Sequence, residues 1–290
     1  MGPRCYAVTV KHTSRHRLVL LWPFLCGLLA SPLITHSASD KSELSQAYAD
    51  YKKAVEAQDY ETALVYARKS DQIAQRELEA DNLQRGILAY NLGVLYYRLD
   101  RYQDSLAPLE RASQTYQAHY GPQAIEILPA VQKLSATHEA LRNWPQAEKS
   151  HLQSIRIIEA HQGRQAEAIA TVLAQLMKVA EQQKEFKREQ NYGRRALFIL
   201  NQAGKTRSLN SGRLHVDLVS AEMQLGDANK ANQHMEWAIE IFEENLDPQD
   251  PQLGKIYKLA TQVFQQTGRE PSARKYRRMA RDFSESKNSE

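Results

Sequence analysis

Cysteine is almost missing from this 290-residue sequence: only Cys5 and Cys26 occur, both within the first 39 residues. Everything beyond residue 39 must therefore hold its fold without disulfides, cysteine-ligated metal or thiol chemistry, by packing alone. Glycine is sparse, at 12 residues, and the chain contains no glycine-rich phosphate loop, nucleophile elbow or His-Glu-x-x-His spacing. An enzyme would have to assemble its site from scattered helical residues with no signature, so the sequence reads as non-enzymatic, without a cofactor, metal site or small-molecule substrate. No Asn-x-Ser/Thr acceptor occurs either; with the missing disulfides, this favours a bacterial periplasm over a eukaryotic secretory route.

Acidic residues are absent from residues 1–39, which carry Arg4, Lys11, Arg15 and Arg17. Without these four, Lys plus Arg equals the 34 Asp plus Glu of the rest of the chain. A formally neutral body disfavours nucleic acid as a partner. The basic segment runs into an apolar stretch, Leu18 to Ala30, followed by small and polar residues at Ser31 and Thr35 to Ser39. This layout is that of a secretory signal peptide over 1–39, and Thr35 with Ser37, or Ser37 with Ser39, supplies small residues at a signal-peptidase spacing. Extended to Ile34, the same stretch is a signal anchor in the alternative reading. Cys26 invites a lipoprotein site, but Pro23, Phe24 and Leu25 before it are too bulky for one. The expectation is an exported chain, periplasmic or secreted, that touches a membrane only if residues 18–34 are retained.

Beyond the leader the chain lines up with itself at a period of 42 residues, in six copies. One column reads Tyr60, Tyr102, Trp144, Phe186, Ala228 and Glu270, and three residues on comes Ala63, Ser105, Ala147, Glu189, Ala231 and Ala273. Seven further on, the column Ser70, Ala112, Ser154, Ala196, Ala238 and Ala280 is small in every copy. These spacings put the residues on one helix face, where small side chains let a neighbouring helix approach closely. Upstream, Leu92, Leu134, Leu176 and Leu218 define the stripe of a first helix. Pro145 and Pro271 share a position suited to a helix's first turn, and Gly226 and Gly268 share one where a left-handed residue ends the first helix. Each unit is two antiparallel helices that cannot cover their apolar faces alone, and stacking solves that. The predicted fold is an all-α solenoid over 40–283, with a polar disordered tail at 284–290. Asp50 and Glu222 fall in otherwise apolar columns, which predicts distortion or capping in the first and fifth copies.

The second copy carries a resemblance. Asn91-Leu92-Gly93-Val94-Leu95-Tyr96, Arg101-Tyr102 and Ser105-Leu106-Ala107-Pro108-Leu109 resemble a tetratricopeptide repeat. Tyr120-Gly121-Pro122-Gln123-Ala124 is similar to the loop of the 42-residue form found in kinesin light chains. The resemblance spans 45 to about 283 and weakens outward, Gly93 giving way to Tyr51, Ser135, Met177, Val219 and Thr261. It implies a right-handed superhelix whose first helices line a concave groove that binds peptides or partner domains. On that implication the groove face presents Tyr48, Lys52, Tyr90, Asn91, Val94, Tyr97 and Arg98, of which all but Val94 are the candidate partner contacts, with Gln132, Lys133, Glu139, Lys178 and Asp217 further along. Asn91 sits where light-chain repeats often clamp a peptide backbone through the amide, and the tyrosines are residues enriched at interface hot spots. His138 and His151 fall in columns held by Tyr96 and Leu109, and read as packing residues. The function expected is a protein–protein interaction scaffold. The alternatives are a membrane-tethered assembly factor and, less favoured, a small-ligand binder or enzyme using the groove.

Overall fold

The computed structural model describes residues 43–287, so the leader, Cys5 and Cys26 lie outside the described residues. The regular structure is helical throughout. Six pairs follow one another: α1 (Glu43–Glu56) with α2 (Tyr60–Glu77), α3 (Leu83–Arg98) with α4 (Tyr102–Tyr120), α5 (Leu128–Ala140) with α6 (Trp144–Gln162), α7 (Glu167–Gln182) with α8 (Phe186–Gln202), α9 (Leu209–Gln224) with α10 (Ala228–Asn245), and α11 (Pro251–Gln266) with α12 (Glu270–Lys287). The aromatic column read from the sequence is the first residue of the second helix in every pair. Each helix packs on the next in sequence, and α3 also meets α5 and α7 meets α9, so first helices lie side by side.

The period has a backbone cause. Gln58, Asp100, Arg142, Lys184, Gly226 and Gly268, 42 residues apart, all adopt a positive φ of 55–77°. The following residues, Asp59, Arg101, Asn143, Glu185, Asp227 and Arg269, each donate the backbone N–H to the carbonyl five residues back, at 2.7–2.9 Å, which closes the first helix in a Schellman motif. The carbonyl of that same residue then accepts the N–H four residues on, at 2.9–3.1 Å, and opens the second helix. One residue ends one helix and begins the next, which is why the turn is short and its length invariant. Glycine at 226 and 268 revealed only a third of this pattern. The other four positions bear ordinary side chains in a conformation costing ~1–2 kcal/mol, offset by the motif's hydrogen bonds.

The small columns are the contacts between helices. Ala63, Ser105, Ala147, Ala231 and Ala273 are wholly buried, as are Ala112, Ser154, Ala196 and Ala238. Close approach is tightest in the second copy. A Cβ added to Gly93 would lie 2.6 Å from Leu109 Cγ, and Ser105 Oγ donates to the Gly93 carbonyl at 2.9 Å. Leu109 is fully buried and has nowhere to move. Gly93→Ala is therefore expected to lower stability by about 1–3 kcal/mol despite alanine's better helix propensity, read as the shift in a urea unfolding midpoint.

Three expectations need adjusting: distortion of the first copy, distortion of the fifth, and the boundary of the C-terminal tail. The first and fifth copies are not distorted: α1 and α9 are regular helices. Asp50 stays partly exposed and accepts a bond from Gln46 Nε2 at 3.1 Å, while Glu222 is fully buried and accepts one from Gln190 Nε2 at 2.7 Å. One carboxyl oxygen of Glu222 is thus satisfied from α8, the other has no partner among the described residues, and α9 stays a regular helix. Third, α12 continues to Lys287, past the expected boundary at 283, with Ser284 Oγ bonded to the Ala280 carbonyl at 3.0 Å.

Candidate functional site

The six candidate contact residues lie on α1 and α3 and fall into separate groups. Tyr48 stacks on Tyr51 with ring centroids 5.6 Å apart, and Lys52 Nζ sits 5.3 Å from the Tyr48 ring. Tyr97 meets the edge of Tyr102 at 5.2 Å, and Lys133 Nζ, from α5, lies 4.3 Å from the Tyr97 ring. Arg98 is turned to the repeat turn, its guanidinium 3.8 Å from the Tyr60 ring. Each such cation–ring pair contributes ~0.5–1 kcal/mol at an exposed site. Burial pushes the Tyr97 hydroxyl above its ordinary range, with Glu139 and Asp100 adding to the shift, and burial pushes the Lys133 ammonium down. Tyr90 is half-buried against the cluster that holds Tyr116, Ile127 and Val131, so much of its ring is packing. Asn91 is half-buried, and its amide forms no hydrogen bond with another described residue.

His138 and His151 sit in the packing. His138 is buried, which lowers its affinity for a proton, and His151, also buried, pairs through Nε2 with Glu139 Oε1. Among the described residues no three His, Asp or Glu side chains converge as metal ligands.

A second constellation lies on the same run of first helices, further along. Met177, Lys178 and Glu181 of α7, Asp217 and Met223 of α9, and Leu259 and Val263 of α11 surround a cleft of about 320 Å³, with Glu189 of α8 at its base. Glu189 is 2% exposed, and its Oε2 is shielded without a hydrogen-bond partner. Burial pushes its carboxyl up to about 8, helped by Glu181 and Asp217, and burial also raises Asp217, against the pull of Lys178. Sequence reading placed Asp217 and Lys178 on this face but overlooked Glu189. The signal was present: a lone charged residue in a column otherwise Ala or Ser.

Comparison with known proteins agrees with this architecture. The tetratricopeptide repeat family model matches residues 88–123, the copy that contains Asn91, Tyr97 and Gly93. Among solved structures, BtubC (BKLC) from P. vanneervenii is 15% identical, covers 86% of this chain and 94% of its own, and superposes with a TM-score of 0.59. A kinesin light chain-type protein of Podosopora anserina with nearly identical TPR-like repeats is 13% identical over 72% of this chain and 100% of its own, at 0.59. Aspartyl phosphate phosphatase F from Bacillus subtilis is 14% identical over 88% of this chain and 77% of its own, at 0.58. At these identities the likeness is one of fold. No curated protein sequence matches the chain.

Proposed function

We propose that this tetratricopeptide-repeat protein is a non-enzymatic scaffold that holds a peptide or partner domain along its first-helix face, and that it does so outside the cytoplasm. The family and fold are those of protein–protein interaction modules. The observation that carries the reading is the face of α1, α3 and α5, where half-exposed Tyr48 and Tyr97, each flanked by an ammonium, lie on the same helices as an Asn91 amide without a partner among the described residues. Rigid aromatic rings with a polar edge supply contact area at little conformational cost. The Asn91 amide can offer a backbone segment one donor and one acceptor.

A photo-crosslinking residue placed at position 97 tests this. It should capture a partner that the same residue at position 198 does not, since Phe198 projects 51% exposed from a second helix, α8. Equal capture from both positions would defeat the assignment.

Export rests on the leader, with its basic start, apolar run and small residues. Among the described residues no helix is long and apolar enough to cross a membrane. Mass spectrometry of the native N-terminus should find a chain beginning near Ala38 or Asp40. An intact leader would instead make the protein a tethered assembly factor.

A further inference from the structure

We infer that the cleft over Glu189 is a specificity pocket for a basic side chain, a lysine or arginine presented by the partner, with its aliphatic stem on the apolar wall and its charge against the carboxylates. This deepens the scaffold reading and rests on it for the source of the side chain. A carboxylate in the small-residue column serves no packing purpose, because the five equivalent positions hold Ala or Ser and are wholly buried. Nor does the chain supply it a partner: among the described residues nothing donates to Glu189 Oε2. Glu222 Oε2 and Asp71 Oδ1 are shielded in the same way but do not line this cleft; among the described residues only the Glu189 side chain combines the missing donor with a place in the cleft wall.

The surroundings specify the donor. From α7 the cleft receives Glu181 and Lys178; from α8, Glu189; from α9, Asp217; from α11, Leu259, Val263 and Gln266, which carry no charge. Glu222, wholly buried on α9, does not line the cleft; its Oε1 accepts from Gln190, and its Oε2 has no partner among the described residues. With Glu189 protonated, Glu181 and Asp217 stand against the single ammonium of Lys178 and leave the cleft an excess of negative charge, with Glu181 and Lys178 both exposed at its margin. Met177, Met223, Leu259 and Val263 make the remaining wall apolar and, through the methionines, adaptable. A metal ion would want convergent oxygens, and no such group forms among the described residues. An ammonium or guanidinium on a hydrocarbon stem matches both the charged base and the apolar wall.

Glu189 holds a proton at neutral pH, because burial and the flanking Glu181 and Asp217 penalise its anion. An incoming cation reverses that preference, so Glu189 ionises and the proton leaves to solvent as the cation binds. Lysine keeps its charge to about pH 10, so binding should strengthen as pH rises through the Glu189 range.

The test titrates the full chain with the dye-labelled peptide Gly-Leu-Lys-Leu-Gly, and with a counterpart that has norleucine for lysine. The lysine peptide should bind at least tenfold tighter, and about tenfold tighter at pH 9 than at pH 7, releasing close to one proton at pH 7 in calorimetry across buffers of different ionisation enthalpy. Glu189→Gln, which keeps the shape, should bring lysine affinity down to the norleucine level at both pH values, with an unchanged or higher melting temperature as evidence of folding. Asp217→Asn should weaken it less. Equal affinities for the two peptides, or undiminished binding by the folded Glu189→Gln chain, would overturn the inference. So would spermidine binding as tightly as the lysine peptide, since the occupant would then be a free amine. A Tyr97→Ala chain that still binds the lysine peptide separates this site from the aromatic face, so that failure at one does not count against the other.

Discussion

At pH 9 the Glu189→Gln chain is expected to be about 5 kcal/mol more stable than the wild type, while near pH 4.5 the two differ little. Glu189 ionises near 4.5 in the unfolded chain but at about 8 in the fold, driven first by burial and then by Glu181 and Asp217. The folded state therefore binds more protons than the unfolded state between these values. Stability from this group is fully present below pH 4.5 and is lost as pH rises through about 8. At ~1.4 kcal/mol per unit, the displacement amounts to ~5 kcal/mol at alkaline pH. Glutamine is isosteric, carries no charge and leaves a buried polar group much as the protonated acid does, so it removes the pH dependence and little else. Urea unfolding midpoints of both chains at pH 5 and pH 9 decide it. A wild type no less stable at pH 9, relative to the variant, would mean that Glu189 is hydrated in the fold. The result also bears on the pocket: a measured cost of this size, in a column where alanine packs well, would support a role for Glu189 other than folding.

Acidification should weaken the fold through a different contact. His215 of α9 and His234 of α10 face each other, their Nδ1 atoms 2.9 Å apart, and the Trp237 ring lies 5.1 Å and 5.5 Å from theirs. The pair can form one hydrogen bond when both rings are neutral and none when both are charged. Burial holds both to about 4, with His234 adding to the effect on His215, and Arg194 and Lys230 acting on His234 against Asp227. These depressed values mean that the unfolded chain takes up protons first. The contribution is present above pH 6.5 and is lost as pH falls towards 4, at roughly a few kcal/mol for the coupled pair as a whole. The double variant His215→Gln, His234→Gln should lose the acid-side weakening, and with the opposing gain from Glu189 unmasked its midpoint should be higher at pH 4.5 than at pH 7. An unaltered difference would place the acid sensitivity elsewhere. Between 4.5 and 6.5 the histidines and Glu189 act with opposite sign, so only comparison of variants separates them.

Much of the fold was legible because it is set by repetition. The aromatic column from Tyr60 to Glu270 marks the second-helix starts, and the small column from Ser70 to Ala280 marks where helices touch. Both survive as pattern because each is a local demand repeated six times. The left-handed turn was legible only at Gly226 and Gly268, since Gln58, Asp100, Arg142 and Lys184 adopt it against their own preference, held by hydrogen bonds that sequence does not display. The expected distortion at Glu222 was misjudged for a similar reason. Its partner Gln190 is 32 residues away on another helix.

The site divides along the same line. Periodicity and resemblance placed Tyr48, Asn91 and Tyr97 on the first helices, because helix phase alone decides which face a residue occupies. Their engagement with Lys52, Tyr102 and Lys133 is a matter of tertiary contact. By itself the sequence determined six helix pairs, their register and a body neutral in charge, since turn chemistry and apolar spacing are properties of neighbours along the chain. Only the tertiary structure decided that Glu189 is buried, that Glu181 and Asp217 stand beside it, and that a cleft opens above it. Those facts depend on the distance between helices that the chain visits far apart, and on water being excluded where they meet.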